Sequence, residues 1–369
     1  MRKSGVNEAM RQSFDPDQLR IARELRRLTQ TELAKQTAAV GAGQGVTAAA
    51  ISQFESGVAV PSLTTIASIV LALDIDPGFL TVDAADAEAH LPAFFRSLRA
   101  TPVRDRRRAR NIAQLIHGLA TVVAGHVTLP ERAIPSVPCD PYGEPEERRS
   151  EAESAAANVR QAWRLGFGPI EDVVATIEHR GLVCARLRFD DERVDAFSVP
   201  FSDHPVAVLA ANKEKWDRSR FDAAHELGHL VMHNESAGVP EAERQANEFA
   251  AAFLMPASTI QSQLPSRADW RGLMELKSKW GTSIASLLYR ARTLEVMSEK
   301  TYVGATKVMA ARGWKRHEPL NRTVESPRLL HDAILRAAGA GVRASQLRRE
   351  AAIPADLFAE VQAAIASSS

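Results

Sequence analysis

Arg220-Phe221-Asp222-Ala223-Ala224-His225-Glu226-Leu227-Gly228-His229-Leu230-Val231-Met232-His233 is the stretch whose reading decides the fold. It predicts one amphipathic helix carrying the pattern H-E-x-x-H. At 3.6 residues per turn, His225 and His229 lie one above the other on a single face, close enough for both imidazoles to reach one metal ion. Zinc sites with catalytic capacity use three protein ligands and keep one position open, so a third donor must come from elsewhere. Glu226, beside the first histidine, is placed to take a proton from water at that open position as a general base. Gly228 keeps one side of the helix small, Leu227, Leu230 and Val231 supply apolar packing, and no proline breaks the turn. The plain alternative is a buried helix whose two histidines are four residues apart by coincidence.

A third donor is available fourteen residues after His229, where Glu243-Arg244-Gln245-Ala246-Asn247 opens a second helical pattern that ends before Pro256. Ala246, Ala250, Phe253 and Leu254 form its apolar face. Glu243 and Asn247 share a face at i, i+4. The carboxylate of Glu243 can complete a His/His/Glu set, with Asn247 behind it steadying a ligand histidine. The alternative for Glu243 is a solvated charge near a helix start, where acids are favoured in any case. Upstream, Ile170 to Arg180 is helical in period and Gly181 ends it. Leu182–Phe189, Asp195–Val199 and Pro205–Ala210 then read as short strands. A strand beside such a site can hold an extended peptide by main-chain hydrogen bonds.

The 369 residues, 45% of them hydrophobic, suffice for two or three domains with a sizeable core. Lys+Arg 46 against Asp+Glu 45 leaves a formal charge of +1, which excludes a global polyelectrolyte signal for nucleic acid or membrane. Only Cys139 and Cys184 are present, and no C-x-x-C pair. That excludes a disulfide framework and a cysteine-based zinc site, and fits a reducing compartment. The first residues are polar and no apolar run is long enough to span a bilayer, so the expectation is a cytoplasmic protein with no membrane partner.

The N-terminal part is a series of short helices. Asp15 caps the first, with Pro16 at its first position and Leu19, Ile21, Ala22, Leu25 and Leu28 at helical spacing. Thr29 or Thr31 opens the second, which carries Gln30, Leu33 and Ala34. Thr47 caps the third, Ala48 to Glu55, closed by Ser56-Gly57, and two more follow over 62–73 and 77–80. Gln30, Leu33-Ala34, Val46-Thr47, Ile51-Ser52-Gln53, Glu55, Gly57, Pro61 and the run Leu63 to Leu73 together resemble the helix-turn-helix domain of the XRE, phage-repressor-like family. The resemblance implies DNA binding with the third helix in the major groove, and Gln30, Thr47, Ser52 and Gln53 as candidate contacts. Two features depart from the pattern. The turn from Thr37 to Gly45 is long, and Ala48 and Ala49 offer base edges only apolar contact. Over residues 1–80, eight Lys/Arg balance eight Asp/Glu, so 8 − 8 = 0. A neutral module binds DNA weakly or as a homodimer, and a protein-docking role for it stays open.

Between the two parts, residues 82–90 read as an acidic, alanine-rich linker. An arginine run at Arg99, Arg104, Arg106, Arg107, Arg108 and Arg110 precedes a helix carrying Ile112, Leu115, Ile116, Leu119 and Val123. The run is either a phosphate grip or a solvated helix end. Pro130 to Glu153, with five prolines, reads as a flexible connector. After residue 300, helices over 326–339 and 342–365 predict a small interaction or dimerisation unit. The expected organisation is therefore a helix-turn-helix domain over 1–81, a helical segment and Pro-rich linker over 82–157, a catalytic domain over 158–298 and a helical region over 299–369. The fold class is mainly α with a small β-sheet, that is α+β.

Gln161-Ala162-Trp163, Gly168-Pro169-Ile170, Glu178-x-x-Gly181, Asp195-Ala196-Phe197-Ser198, Arg220-Phe221, His225-Glu226-Leu227-Gly228-His229, Glu243-x-x-Ala246-Asn247, Trp280-Gly281 and Tyr289-Arg290-Ala291 stand in one order across about residues 158–295. Together they resemble the ImmA/IrrE family of zinc metallopeptidases, and the family is known fused to an N-terminal XRE domain. The resemblance implies a gluzincin-like, zincin fold with one Zn2+ per chain on His225, His229 and Glu243, and Glu226 as base. It also implies a protein substrate, a helix-turn-helix repressor cleaved in stress response or mobile-element regulation. Tyr289, His204 and His233 are candidates for an added oxyanion contact, each with a plainer reading: a packed phenol, a loop residue before Pro205, and a cation at a helix C-terminus. The rival function is a DNA-binding transcription regulator whose zinc site is structural or ligand-sensing.

Overall fold

The computed structural model describes residues 13–41, 45–81, 102–189, 196–212, 215–233, 239–314 and 317–366. The acidic linker over 82–90, Arg99, Asp195 and the middle of the long turn at 42–44 lie outside them. The chain divides into two compact units. Among the described residues, one comprises those up to 81, 102–129 and Leu330–Ile365, and the other those of Pro130–Leu329 and Ala366.

In the first unit, four helices follow their caps. Asp15 Oδ1 accepts from the backbone N–H of Asp17 (2.7 Å) and Gln18 (3.3 Å) at the start of α1, Pro16–Leu25. Thr29 and Glu32 exchange side-chain and backbone hydrogen bonds at the head of α2, Gln30–Val40, the reciprocal capping that an S/T-x-x-E sequence encodes. Thr47 caps α3, Ala48–Glu55, and Ser62 caps α4, Leu63–Leu73. Leu19, Leu33, Ile51, Ile69 and Leu80 are fully buried between these elements. A buried ion pair, Arg23 Nη2 to Glu55 Oε2 at 2.8 Å, joins α1 to α3.

The apolar stripe expected at Ile112, Leu115, Ile116, Leu119 and Val123 is the buried face of α5, Val103–Ala124. Two arginines of its run have carboxylate partners, although Arg104 and Arg107 remain exposed. Arg107 reaches Glu24 at 3.3 Å, while Arg108 donates to Glu360 (2.9 Å) and to the carbonyl of Leu25 (3.0 Å). The C-terminal helices, Leu329–Gly339, Ala344–Glu350 and Ala355–Ile365 (α14, α15 and α16 in chain order), belong to this unit. Asp356 pairs with Arg26, and Glu350 lies 2.6 Å from His126. The single region expected over 299–369 is thus divided, with 299–329 in the second unit. The packing of α15 and α16 on α5, with these charge pairs at its margin, accounts for the division, and sequence periodicity shows neither.

The second unit is built around three strands, β1 Val183–Leu187, β2 Ala196–Val199 and β3 Val206–Ala210, in the order β1-β3-β2. β1 runs parallel to β3 with Val183 opposite Val206, and β2 antiparallel with Ser198 opposite Ala207. Every strand residue is buried, including the polar Arg186 of β1 and Ser198 of β2. The H-E-x-x-H helix is α8, Trp216–Met232, one turn longer at its start than the sequence suggests. It packs against β2 and β3 on one side and against α9, Pro240–Leu254, on another; α9 packs in turn on α6, Pro145–Ala162.

Residues 130–153 are not a flexible connector. The backbone N–H groups of Ala133, Val137 and Cys139 donate to the carbonyls of Arg180, Val231 and Met232, and Ile134 is buried. The prolines fit an extended segment whose apolar residues face the core. The second unit accordingly starts at Pro130, well before residue 158, and extends beyond 298 to Leu329, while residues 102–129 belong to the first.

The first turns of α8 are held by charges. Arg220, 1% exposed, pairs with Glu325 and donates to the carbonyls of Glu171 (2.9 Å) and Ile170 (2.6 Å). Glu325 Oε2 also accepts from the backbone N–H of Val173 and Val174 at the start of α7, Val173–Glu178. Breaking one partner of such a buried network costs about 3–5 kcal/mol, because the other charge stays buried without compensation. Glu325→Ala is therefore expected to lower the urea midpoint by an amount of that order. Glu299→Ala, at an exposed 3.5 Å pair with Arg292, should change stability by less than about 1 kcal/mol. Equal effects in urea titrations would contradict this ranking.

Candidate metal centre

His225 and His229 face α9, where Glu243 sits in the first turn and is 1% exposed. His225 Nε2 lies 3.1 Å from His229 Nε2 and 3.2 Å from Glu243 Oε2, and His229 Nε2 lies 3.5 Å from Glu243 Oε1. Among the described residues these three form the one group of His, Cys, Asp and Glu side chains able to share an ion. Zinc bonds of about 2.0–2.1 Å in tetrahedral geometry place ligand atoms about 3.3 Å apart. The triangle of donors has that size and so fits one face of a zinc tetrahedron.

The donor chemistry fits as well. His225 Nδ1 is 3.0 Å from Asn247 Oδ1, an oxygen that can only accept, so Nδ1 carries the proton and Nε2 offers a lone pair to the centre. Two imidazole nitrogens and a carboxylate then converge, and only a proton or a metal ion lets them coexist. The electrostatics of the metal-free centre agree. Burial opposes charge on His225, but Glu243, Glu226 and Asp222 outweigh it and raise its pKa. Burial pulls His229 down to about 3, assisted by repulsion from His225 and His233 and opposed by Glu243. Burial would raise Glu243, yet the two histidines hold it well below the usual carboxylate range.

The close approach of the two helices depends on Gly228. A methyl group there would stand 2.9 Å from Phe249 Cδ1 on α9, inside contact distance, so a larger residue would push the carboxylate's helix away from the histidines.

Glu226 is 3% exposed, and its Oε2 accepts from the hydroxyl of Ser198, 2.7 Å away on β2. Burial pushes its pKa up to about 8, with Glu243 and Asp222 adding to the rise and His225 and Ser198 opposing it. A carboxyl group poised near neutrality is suited to taking and returning a proton.

The candidates for an added oxyanion contact are placed differently. His233, 2% exposed at the C-terminal end of α8, lies with Nδ1 3.0 Å from His229 Nδ1 and Nε2 2.9 Å from Gln245 Oε1. It therefore faces the ring nitrogen of His229 that points away from Glu243. Burial lowers its pKa, so it is not the helix-terminal cation of the plainer reading. Tyr289 lies under the guanidinium of Arg292, 4.8 Å from the ring centroid. His204 is half-buried before Pro205, where β3 begins. In the first unit, Gln30 Nε2 donates to Glu55 Oε2 at 2.8 Å and Thr47 accepts from the backbone N–H of Ala50 at 3.1 Å, so both side chains serve the fold. Ser52 and Gln53 are exposed on α3 beside Ala49.

Sequence reasoning missed Ser198 and Gln245. A lone hydroxyl in the strand Ala196-Phe197-Ser198-Val199 was a usable signal, because an inward serine there needs a polar partner. Gln245 gave none: two residues after Glu243 it falls about 200° around the helix.

A two-histidine, one-carboxylate centre with a buried glutamate beside it is the kind of site used by metallopeptidases. Residues 177–292 match the family model described as peptidase M78, IrrE N-terminal-like domain, and residues 19–80 match the helix-turn-helix family model. The chain thus carries a peptidase-type domain of the ImmA/IrrE kind behind a helix-turn-helix DNA-binding module. No curated protein sequence matches it. No described helix is long and apolar enough to cross a membrane.

The raised pKa of Glu226 has a thermodynamic consequence. A carboxyl group that moves from 4.5 to about 8 on folding binds more protons folded than unfolded. Its contribution is fully present below 4.5 and is lost as pH rises through 8. The Glu226 contribution to the stability of the metal-free protein should therefore decline across that interval, whatever the lowered histidines His229 and His233 add in the opposite sense at its acid end. Glu226→Gln should flatten the decline by up to about 1.4 kcal/mol per pH unit. Urea titrations of both proteins with a chelator present, from pH 5 to about 8.5, test this; parallel curves would contradict it.

Proposed function

We propose that the second unit is a zinc-dependent endopeptidase in which His225, His229 and Glu243 hold one ion, Asn247 orients His225, and Glu226 is the general base. Its substrate is a partner protein, a helix-turn-helix transcriptional repressor, cleaved in the cytoplasm in stress response or mobile-element regulation. The observation that carries the enzymatic part is the convergence of the three donors within 4.8 Å of one another, with buried Glu226 immediately beside the first of them. A purely structural zinc site closes all four positions with protein ligands, whereas this one offers three.

When bound, the ion supplies Lewis acidity toward the scissile carbonyl and acidifies water at the open position. Glu226 takes the proton from the attacking water at one carboxylate oxygen, while Ser198 holds Oε2. It later returns the proton to the leaving amine. Burial keeps the carboxylate poorly solvated, which strengthens both transfers.

Glu226→Gln should retain one zinc per chain while lowering cleavage of a co-expressed repressor at least 100-fold, in line with the usual worth of a general base. Loss of metal would mean that Glu226 is structural. Unchanged cleavage would show that Glu226 is not the base, and no cleavage by the unaltered, zinc-loaded protein would sink the peptidase reading and favour a regulator with a non-catalytic zinc.

The helix-turn-helix unit selects the target in this account. The exposed positions Ala49, Ser52 and Gln53 of α3 offer few hydrogen bonds and no cation. Direct DNA contact should be weak, with log affinity falling only shallowly against log salt, as expected for one or two neutralised phosphates. A gel-shift titration at several salt concentrations reads this slope, and a steep one would show that DNA, not a protein partner, is its main ligand.

A further inference from the structure

Behind His229 runs a chain of buried polar groups that the proposed reaction does not use. We infer that His233, Gln245 and Glu151 are positioning residues, a hydrogen-bonded relay whose direction fixes the tautomer of His229 so that Nε2 presents a lone pair to the metal. This rests on the reading of His225, His229 and Glu243 as ligands.

The direction follows from the acceptor at the far end. A carboxylate oxygen of Glu151 on α6 accepts from the amide nitrogen of Gln245. Gln245 Nε2 lies 3.0 Å from Glu151 Oε2, so that end of the amide is the NH2 and its oxygen faces the other way. Gln245 Oε1 lies 2.9 Å from His233 Nε2, which must therefore donate. A neutral imidazole has a single N–H, so His233 Nδ1 accepts. It lies 3.0 Å from His229 Nδ1, which donates in turn. His229 thereby carries its proton on Nδ1, and Nε2 faces His225 and Glu243 as a lone pair. Reversing any link would place a proton on His229 Nε2, where the ion has to sit.

Spacing and burial support the same reading. His225, His229 and His233 follow at i, i+4 and i+8, so one helix face supplies both ligands and the first link of the relay. Gln245 is 0% and His233 2% exposed, so bulk water does not replace either bond. α9 thus orients each ligand histidine separately: Asn247 binds His225 directly, and Gln245 binds His229 through His233. Partners of this kind are commonly worth 10- to 100-fold in metal affinity.

The test uses the full-length chain, with zinc affinity read by competition against a chromophoric chelator and folding checked by circular dichroism. His233→Leu should weaken zinc binding about 10- to 100-fold. His233→Gln should recover most of the loss, because its amide oxygen can accept from His229 and its NH2 can donate to Gln245. Gln245→Leu should weaken binding with His233 still in place. Long-range 1H–15N spectra of the zinc-free protein should show His229 protonated on Nδ1 and His233 on Nε2. The relay is overturned if His229 carries its proton on Nε2, or if His233→Leu and His233→Gln bind zinc equally. Should the unaltered protein bind no zinc, the metal reading fails, and the zinc-free spectra still decide the relay by the same two tautomers.

Discussion

The close contact between α8 and α9 at Gly228 and Phe249 is the constraint on which the centre depends. The histidines belong to one helix and the carboxylate to another, and the three donor separations of 3.1, 3.2 and 3.5 Å survive only if the two helices keep their spacing. Well-packed interiors transmit small displacements, and a ligand moved by 1 Å no longer meets the geometry of a tetrahedral ion. A single small residue, Gly228, thus bears on the donor geometry without being a donor itself.

Charge does the rest of the positioning. Arg220 and Lys277, 1% and 2% exposed, carry this: Arg220 of α8 pairs with Glu325, and Lys277, from the helix Trp270–Trp280, bridges Asp217 of α8 to Glu318. Both Glu325 and Glu318 come from the segment that follows the last helix of the second unit, α13 (Glu299–Ala311). Buried ion pairs of this kind add little net stability, and their loss is costly. They specify where a segment without regular structure must lie. Residues 317–329 are therefore part of the second unit although they lie beyond the residues 177–292 that match the family model.

Much of the site was legible in the sequence because it obeys local rules. The i, i+4 spacing placed His225 and His229 together, the same spacing paired Glu243 with Asn247, and Asp15, Thr29 and Thr47 cap helices where their residue types indicate. What escaped depends on contacts between residues far apart in the chain. Gln245 points away from the face that its neighbours define, and its partners Glu151 and His233 lie 94 and 12 residues away. The arginine run on α5 read as an exposed charge cluster because Glu24 and Glu360, its partners, stand 83 and 252 residues from Arg107 and Arg108. The proline-rich stretch read as a connector because proline removes the N–H groups on which sequence rules rely. Its remaining N–H groups nonetheless pair with Arg180, Val231 and Met232.

X-ray absorption at the zinc edge on the zinc-loaded, full-length chain tests the central claim most directly. The account predicts one zinc per chain with four nitrogen or oxygen neighbours at about 2.0–2.1 Å, multiple scattering from two imidazoles, and no sulfur. A sulfur shell at about 2.3 Å, a single imidazole, or zinc well below one per chain would contradict it.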